Sequence, residues 1–341
     1  MVLYQTHEFQ ALFHKAVDRV VCHTAIIEGE DSESRLTEML EEMGSEYPAP
    51  EAALQYSTVM AEMSWSRPRI RNEEEMKNSI TLAFVTDIHA GELIEYRPGK
   101  EALGLLGRFV KHINGLDVDA VIELGDRVNN VDGSHDYAVQ EQVQAVLCHL
   151  APPRFSLSGN HDVHYVTKED NQQITGMPSS YYSSIVSNFR LIFIDTADPV
   201  QGHCGGYVSA PQLEWLKGQL SMDMLPTLVF GHHPITVQNQ EGNPFFADLP
   251  GEEKIGNSGE VLEVLLNGKN VKTYFNGHVH WFYASMEQSV RSFSIPSLLE
   301  SYPLKEHAPG RYALATISHE GMVDLSLHTL CPMRTLGRIV L

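Results

Sequence analysis

Short apolar runs alternate with amphipathic segments from Ile80 onward, and this alternation predicts an α/β domain. Buried strands are predicted over residues 81–86, 118–124, 154–157, 227–230 and 272–275. Helices are predicted between them, over residues 101–114, 137–150 and 210–220. Residues 181–184 pair with residues 190–195 in a predicted antiparallel hairpin, and residues 313–317 pair with residues 323–330. We therefore expect the main domain to span residues 80–330.

The first 75 residues show a helical period instead. Apolar side chains recur there at three- and four-residue spacing, as in Phe9, Leu12, Phe13, Ala16, Val17, Val20 and Val21. This predicts an N-terminal helical appendage over residues 1–75 that packs on the main domain, with a charged linker over residues 67–78. A homodimer surface or a lid is the alternative use of these helices. Residues 331–341 are predicted to be a C-terminal tail.

Two polar segments interrupt the α/β pattern, at residues 168–180 and 238–258. Both contain glycine and proline, which favours irregular structure. We expect two long loops that border the functional site and select its substrate.

Composition narrows the choice of partner and compartment. The chain has 24 basic and 44 acidic residues, a formal charge of −20, which argues against a nucleic-acid-binding surface. No apolar run approaches the ~18 residues of a membrane helix, and no signal pattern opens the sequence, so no membrane association is expected. The four cysteines form no Cys-x-x-Cys pair, which predicts spare buried thiols in a reducing, cytoplasmic setting.

Five polar clusters follow predicted strands, where α/β domains gather functional side chains. In order, they are Asp87-Ile88-His89, Gly125-Asp126, Gly159-Asn160-His161-Asp162, Gly231-His232-His233-Pro234 and Gly277-His278-Val279-His280. Each cluster supplies oxygen or nitrogen donors, and none supplies a thiolate. This donor set suits Mn²⁺, Fe²⁺/³⁺ or Zn²⁺ in a catalytic site better than a structural zinc. Two such ions ~3.5–4 Å apart would hold a phosphoryl oxygen and generate hydroxide at neutral pH. The clusters therefore predict one composite metal site in an enzyme that hydrolyses phosphate esters.

The five clusters resemble, in order, the blocks of the calcineurin-like metallophosphoesterase superfamily: Asp-x-His, Gly-Asp, Gly-Asn-His-Asp/Glu, a single His, and Gly-His-x-His. The resemblance covers most of residues 80–330. It implies a four-layer α/β/β/α sandwich, in which two mixed sheets are flanked by helices. It also implies a first metal site formed by Asp87, His89, Asp126 and His280. The second metal would share Asp126 as a bridge and be bound by Asn160, His232 and His278. His232 is preferred to His233 because the family's ligand resembles the His of His-x-Pro.

The resemblance also assigns roles to residues that bind no metal. His161 is expected to donate a hydrogen bond to the phosphate and to protonate the leaving oxygen. In related phosphoprotein phosphatases, an Asp three residues after the bridging Asp orients this histidine, and here that position is Asn129. An Asn can orient the ring without raising its basicity, which favours electrostatic stabilisation by His161. Asp162 is expected to be a turn and hydrogen-bonding residue rather than a ligand, and Arg127 either contacts substrate phosphate or forms a surface ion pair.

The substrate class follows from a weaker pattern. Residues 191–196 followed by Gln-Leu-Glu-Trp-Leu at 212–216 resemble the class III cyclic-nucleotide phosphodiesterase branch. The Gly-Asp-x-Val-Asp-Arg-Gly signature of Ser/Thr phosphatases is absent, and Asn129 stands where purple acid phosphatases carry a metal-binding Tyr. We therefore expect a dinuclear phosphodiesterase that acts on a small phosphorylated substrate such as a 3′,5′-cyclic nucleotide. A base could stack on Tyr165, Phe245 or Phe246.

Three alternatives remain at this point. One is a phosphomonoesterase that acts on nucleotides or small phosphorylated metabolites. Another is a nuclease, which the acidic balance disfavours. The third is a catalytically dead scaffold, which is disfavoured because every ligand position is filled.

Overall fold

The computed structural model describes residues 78–94, 96–302 and 307–341. The predicted N-terminal helices, and nearly all of the predicted linker, lie outside the described residues. The expectation of an appendage over residues 1–75 therefore stays a prediction.

Two six-stranded sheets form the centre of the domain. The first contains β1 (Ser79–Val85), β4 (Ala120–Glu123), β5 (Arg154–Ser156), β12 (Arg311–Ser318), β13 (Val323–Leu330) and β14 (Met333–Val340). Their order is β14-β13-β12-β1-β4-β5. The strands β1, β4 and β5 run parallel, while β12 is antiparallel to β1 and to β13. This sheet is therefore mixed, as predicted.

The second sheet contains β6 (Tyr182–Val186), β7 (Phe189–Phe193), β8 (Thr227–Phe230), β9 (Val271–Asn276), β10 (Tyr283–Glu287) and β11 (Val290–Ser294). Their order is β10-β11-β9-β8-β7-β6. The four inner strands are parallel, and an antiparallel strand closes each edge. A small hairpin of β2 (Leu93–Ile94) and β3 (Arg97–Pro98) follows β1.

Helices cover the outer face of each sheet. The apolar faces of α1 (Ala102–Ile113) and α2 (Gly133–Leu147) pack on β1 and β4 of the first sheet. In the same way, α4 (Ala210–Leu220) and α5 (Ser258–Asn267) pack on β7, β8 and β9 of the second. The predicted four-layer sandwich is confirmed.

A row of aromatic rings fills the space between the sheets. Phe193, Phe230, Phe275 and Phe293 are in register on neighbouring strands of the second sheet, and their rings stack with centroids 4.9–5.8 Å apart. Phe84 of the first sheet packs against Phe275 at 4.7 Å. Because side chains alternate along a strand, these rings point inward while Val229 packs on the helices. The row lies directly before the strand ends that carry the polar clusters.

Phe230→Ala should lower the free energy of unfolding by about 3–5 kcal/mol. The ring is fully buried between two stacked neighbours, so its removal leaves a cavity that rigid strands cannot close. Urea unfolding followed by circular dichroism measures the change. Ile185→Ala on β6, at a side chain that is 56% exposed, is the control and should cost less than about 0.5 kcal/mol. Equal losses in the two variants would contradict this account of the core.

Several local predictions were wrong, each for a physical reason. Residues 168–180 are not a continuous loop, because Lys168–Thr175 form the helix α3. The side chain of Thr167 caps its first turn, and Gly176 ends it in the left-handed region at a φ of 76°. Residues 331–341 contain the edge strand β14 rather than only a tail. Capping and edge pairing both stabilise segments that lack a clear apolar period.

The described cysteines differ from the prediction. Of the three cysteines in the described ranges, Cys148 is exposed while Cys204 and Cys331 are partly exposed, so the prediction of buried thiols is wrong for these three. Across the described part of the chain, no helix combines the length and apolarity needed to cross a bilayer.

Candidate metal centre

The carboxyl ends of strands from both sheets meet at one edge of the sandwich. From the first sheet, β1 leads into Asp87 and β4 leads into Asp126, while β8 of the second sheet leads into His232. Ligand atoms of these three buried residues lie within 4.8 Å of one another. The fold therefore brings together residues that are far apart in sequence.

The backbone at this edge is held in an unusual conformation. Five of the residues predicted to bind metal have positive φ, between 44° and 69°: Asp87, His89, Asp126, His278 and His280. Non-glycine residues rarely adopt this region, and each such residue costs on the order of 1 kcal/mol or more. The tight loops therefore direct these side chains inward, and the backbone is strained locally as a result.

Two glycines allow the loops to approach so closely. A Cβ at Gly159 would lie 2.1 Å from Oδ1 of Asp126, and one at Gly277 would lie 2.1 Å from the hydroxyl of Thr86. Any side chain would therefore push the loops apart.

Asp87, His89 and His280 form a first group of ligand atoms. The Nε2 atoms of the two histidines are 2.9 Å apart. Oδ1 of Asp87 lies 3.8 Å from Nε2 of His89 and 3.4 Å from Nε2 of His280. All three side chains are buried. Two imidazoles and a carboxylate around one point are a suitable set for a divalent cation.

Asp126 connects this group to a second one. Its Oδ2 lies 3.2 Å from Nε2 of His232 and 3.9 Å from Nε2 of His89, so one oxygen stands between the two groups. Its Oδ1 accepts a hydrogen bond of 2.9 Å from the backbone N–H of His161. This is the position that a bridging carboxylate requires.

Several predicted ligands keep one donor atom available for a metal. Nε2–H of His278 donates to the Glu252 carbonyl at 3.0 Å, which leaves its Nδ1 as the donor atom. Oδ1 of Asn160, Oδ1 of Asp87 and Nε2 of His232 are buried without a hydrogen-bond partner among the described residues. Buried polar atoms are rarely left so, and bound cations would satisfy them.

The hydrogen bonds separate His232 from its neighbour. Nδ1–H of His232 donates to the Leu124 carbonyl at 2.8 Å, which leaves Nε2 facing Asp126. His233 also lies close to His278, but both its ring nitrogens are already used, by the Thr196 hydroxyl at 2.7 Å and the Cys204 carbonyl at 2.8 Å. The geometry therefore supports the choice of His232.

Electrostatics at this edge are dominated by burial and by Asp126. Burial alone would lower the pKa of His232, but the Asp126 carboxylate outweighs it and raises that pKa to about 9. Burial, and then the charge of His232, lower the pKa of His278 to about 3. Burial likewise holds the pKa of His89 well below its usual value. His89 and His278 are thus neutral at pH 7, the form that binds metal.

Residues 80–282 match the family model described as calcineurin-like phosphoesterase. The chain belongs to this family. The resemblance inferred from the five clusters is confirmed, and the family model is described as that of a phosphoesterase.

Two curated relatives carry names of the same kind. The chain is 25% identical over 188 residues to a probable cyclic nucleotide phosphodiesterase of Psychrobacter arcticus, a match that covers 52% of this chain and 63% of that protein. It is 27% identical over 227 residues to a 3′,5′-cyclic-nucleotide phosphodiesterase of Nostoc sp., covering 65% and 79%. The chain thus spans less than two thirds of the first relative's length.

Among solved structures, a dimetal phosphatase from Danio rerio has a similar fold. The TM-score is 0.57 at 18% identity, and the match covers 76% of this chain and 98% of that one. At this identity, the similarity concerns the fold alone.

In this family member, Asp162 ties two loops together. Its Oδ2 accepts hydrogen bonds of 2.9 Å from the backbone N–H groups of Asp126 and Gly159, and its Oδ1 accepts one of 2.8 Å from Arg127 N–H. Burial raises the pKa of Asp162 to about 6, and the guanidinium of Arg127 opposes that rise. Its hydrogen bonds go to backbone and to Arg127, so we propose a positioning role and no direct catalytic role.

Arg127 is buried, and both predictions for it were wrong. Its guanidinium is fully enclosed and pairs with Glu123 at 2.7 Å and Asp162 at 3.1 Å. It also donates to the Leu157 carbonyl at 3.0 Å and to the Asn171 side chain of α3 at 3.1 Å. It therefore supports these loops from the interior of the domain, where its guanidinium is shielded from bulk solvent.

Asn129 does not hold the ring of His161. Its amide donates to the carbonyls of His89 at 3.1 Å and Glu92 at 3.0 Å, while Nδ1 of His161 has no hydrogen-bond partner among the described residues. The prediction that Asn129 orients the ring is thus wrong for this structure. Asn129 fixes the segment that follows β1, and burial lowers the pKa of His161 to about 4.

Two residues at the centre, Glu300 and Arg97, were missed in the sequence. Oε2 of Glu300 lies 3.7 Å from Nδ1 of His280. Phe245, one of the predicted stacking residues, packs against His280 with ring centroids 4.7 Å apart, and Arg97 lies over the ring of Phe245. Glu300 and Arg97 belong to no motif, so only the folded chain shows their position.

Proposed function

We propose that the chain hydrolyses phosphate diesters at a dinuclear centre, with 3′,5′-cyclic nucleotides as the substrate class. Asp126 carries this proposal, because its Oδ2 lies between the two ligand groups with His161 beside it, at 4.0 Å from Nε2. The first ion would be held by Asp87, His89, Asp126 and His280. The second would share Asp126 and be held by Asn160, His232 and His278.

The donor set limits which ions fit. It contains imidazole, carboxylate and amide atoms and no sulfur, which suits Mn²⁺, Fe²⁺/³⁺ or Zn²⁺. When bound, two such ions supply the hydroxide nucleophile and neutralise charge on the phosphoryl group.

The protein's own groups position the reaction. His161 is partly exposed at the centre, and its Nε2 faces Asp126. Burial lowers its pKa to about 4, so the neutral imidazole is the form present at pH 7. A neutral ring donates a hydrogen bond to a phosphoryl or leaving oxygen and stabilises the charge that develops there. We propose stabilisation by hydrogen bonding as its main role.

An aromatic wall supports a base-containing substrate. Phe245 is partly exposed next to His280, and Tyr96 packs against its edge with centroids 6.5 Å apart. By contrast, Phe246 is 5% exposed and packs on His278, so it offers no face to a base. Base–aromatic stacking contributes about 1–3 kcal/mol. The names of the two curated relatives point to the same substrate class.

The main alternative is a phosphomonoesterase. A single observation favours it: the guanidinium of Arg97 lies within 3.5 Å of His161, and a fixed cation suits a dianionic monoester. A catalytically dead scaffold is disfavoured, because six of the seven proposed ligands lie in groups of close ligand atoms at the centre.

Chelator-stripped protein reconstituted with Mn²⁺ should hydrolyse bis-p-nitrophenyl phosphate faster than p-nitrophenyl phosphate, and it should open 3′,5′-cyclic AMP. The comparison uses kcat/KM at a single pH, with the stripped protein as control. A clear preference for the monoester would favour the phosphomonoesterase over the proposed phosphodiesterase. Absence of hydrolysis of all three compounds, with two ions bound, would favour the scaffold.

A further inference from the structure

The segment that follows β7 lies beside the turn that presents His232. Strands β7 and β8 run parallel, with Phe193 opposite Phe230, so both end at the same edge of the second sheet. Thr196 lies three residues after the end of β7 and is fully buried. Its Oγ1 accepts hydrogen bonds from two consecutive backbone N–H groups, those of His232 at 3.2 Å and His233 at 3.1 Å. One hydroxyl therefore holds the backbone of a proposed metal ligand.

The other side of this turn is held as well. The hydroxyl of Tyr274, on β9, donates to the His233 carbonyl at 2.7 Å. A Cβ at Gly231 would lie 2.1 Å from the oxygen of that hydroxyl and 2.8 Å from Cγ2 of Thr196, so the turn packs directly against both side chains. Nδ1 of His233 also contacts Oγ1 of Thr196, at 2.7 Å. Side chains from the segments on both sides of β8 thus fix the turn.

Thr196 is in turn fixed by α4. The side chain of Gln212, fully buried on this helix, bonds twice to the backbone of Asp195: Oε1 accepts from its N–H at 2.7 Å, and Nε2 donates to its carbonyl at 2.8 Å. The carbonyl of Thr196 accepts from Tyr207 N–H at 2.8 Å. The Asp195 carboxylate is not in this path, because it pairs with a lysine of α3. Hydrogen bonds and backbone therefore connect Gln212 to His232.

We propose that Thr196 is a positioning residue for the second metal ion, and that Gln212 acts through it. This inference rests on the proposed function, in which His232 binds that ion. Partners that orient a metal ligand change metal affinity by about 10- to 100-fold when they are lost. Both residues belong to the two segments that resemble the cyclic-nucleotide phosphodiesterase branch. Both side chains are fully buried, which suits the support of a ligand from within the domain.

Metal-binding isotherms test the proposal without relying on turnover. Chelator-stripped wild-type protein and Thr196→Val are titrated with Mn²⁺, and bound and free ions are measured by equilibrium dialysis. Valine keeps the shape of threonine but removes the acceptor, so two buried N–H groups lose their partner. We expect one ion to bind about 10- to 100-fold more weakly in Thr196→Val than in the wild type, while the other ion keeps its affinity. Thr196→Ser, which keeps the hydroxyl, should restore most of the lost affinity.

A double variant shows whether Thr196 acts through His232. His232→Ala removes the ligand itself, so the addition of Thr196→Val should not weaken binding of the remaining ion any further. Weaker binding of both ions in Thr196→Val, or of the remaining ion in the double variant, would show that the threonine merely supports the fold. Gln212→Leu tests the same path one step further from the metal, and it should weaken the same ion by a smaller factor.

Thr273→Val is the matched control. Thr273 is a fully buried threonine on β9, and its Oγ1 has no hydrogen-bond partner among the described residues. The same substitution at this position should leave the affinity for both ions unchanged.

Two results would overturn the inference in different ways. Wild-type affinity for both ions in Thr196→Val, or in Gln212→Leu if Thr196→Val does not fold, would overturn this inference alone when the wild type binds two ions. A wild-type protein that binds fewer than two ions would overturn the proposed function, and this inference with it.

Discussion

Asp126→Asn should release at least one metal ion and lower hydrolysis of bis-p-nitrophenyl phosphate by about 1,000-fold or more. In the proposed centre, Asp126 would help to hold both ions, since its Oδ2 lies within 3.9 Å of donor atoms from both ligand groups. Asparagine keeps the shape, and its oxygen can still accept the hydrogen bond from His161 N–H. The variant therefore removes charge while it preserves the loop. Elemental analysis after desalting gives the metal content, and initial rates give the activity.

Asp195→Asn provides a matched control for this variant. Asp195 is also a buried carboxylate at a strand end, but it pairs with Lys168 at 2.7 Å rather than with the histidines. This substitution should reduce stability and leave metal content at the wild-type value. If Asp126→Asn kept two ions and wild-type turnover, Asp126 would not be the bridge.

His161→Ala should lower turnover by about 100- to 10,000-fold while metal content stays near that of the wild type. His161 lies beside the ligands but provides none of the atoms proposed to hold an ion. Its loss removes the hydrogen bond to the phosphoryl or leaving oxygen. Rates and metal content are measured on the same preparation. His164→Ala, an exposed histidine three residues further on, should change neither quantity.

The leaving group separates two roles for His161. An ester with an alcohol leaving group needs protonation, whereas p-nitrophenolate leaves without it. If His161 stabilises charge by hydrogen bonding, His161→Ala should lower the hydrolysis rates of both esters by a similar factor, and this is the expected outcome. A much larger loss with the alcohol ester would show that His161 is a proton donor, and full activity of His161→Ala would remove it from the mechanism.

The positions of most of the ligand clusters could be predicted because they follow strands with a strong apolar signal. Strand β8 is a run of four buried residues, and the cluster with His232 begins immediately after it. The fold needs these strands in register, which the aromatic row achieves through Phe230 and Phe275. Sequence and structure therefore agree where local pattern and global packing require the same residues.

Other features depend on contacts that no local pattern reveals. The sequence does not distinguish a buried Arg127 from an exposed one, because its burial follows from partners at Glu123, Asp162 and Asn171. Arg97 lies near the centre only because it belongs to the short β2–β3 hairpin, whose strands have two residues each. For Asn129, spacing gave the correct neighbourhood but the wrong partner, because its amide bonds to backbone carbonyls instead.

Titration of chelator-stripped protein with Mn²⁺, while hydrolysis of bis-p-nitrophenyl phosphate is followed, tests the dinuclear centre most directly. The proposed dinuclear centre predicts no hydrolysis without metal and a plateau in rate at about two ions per chain. Full activity in the stripped protein, or a plateau at about one ion per chain, would contradict a centre built on a shared Asp126.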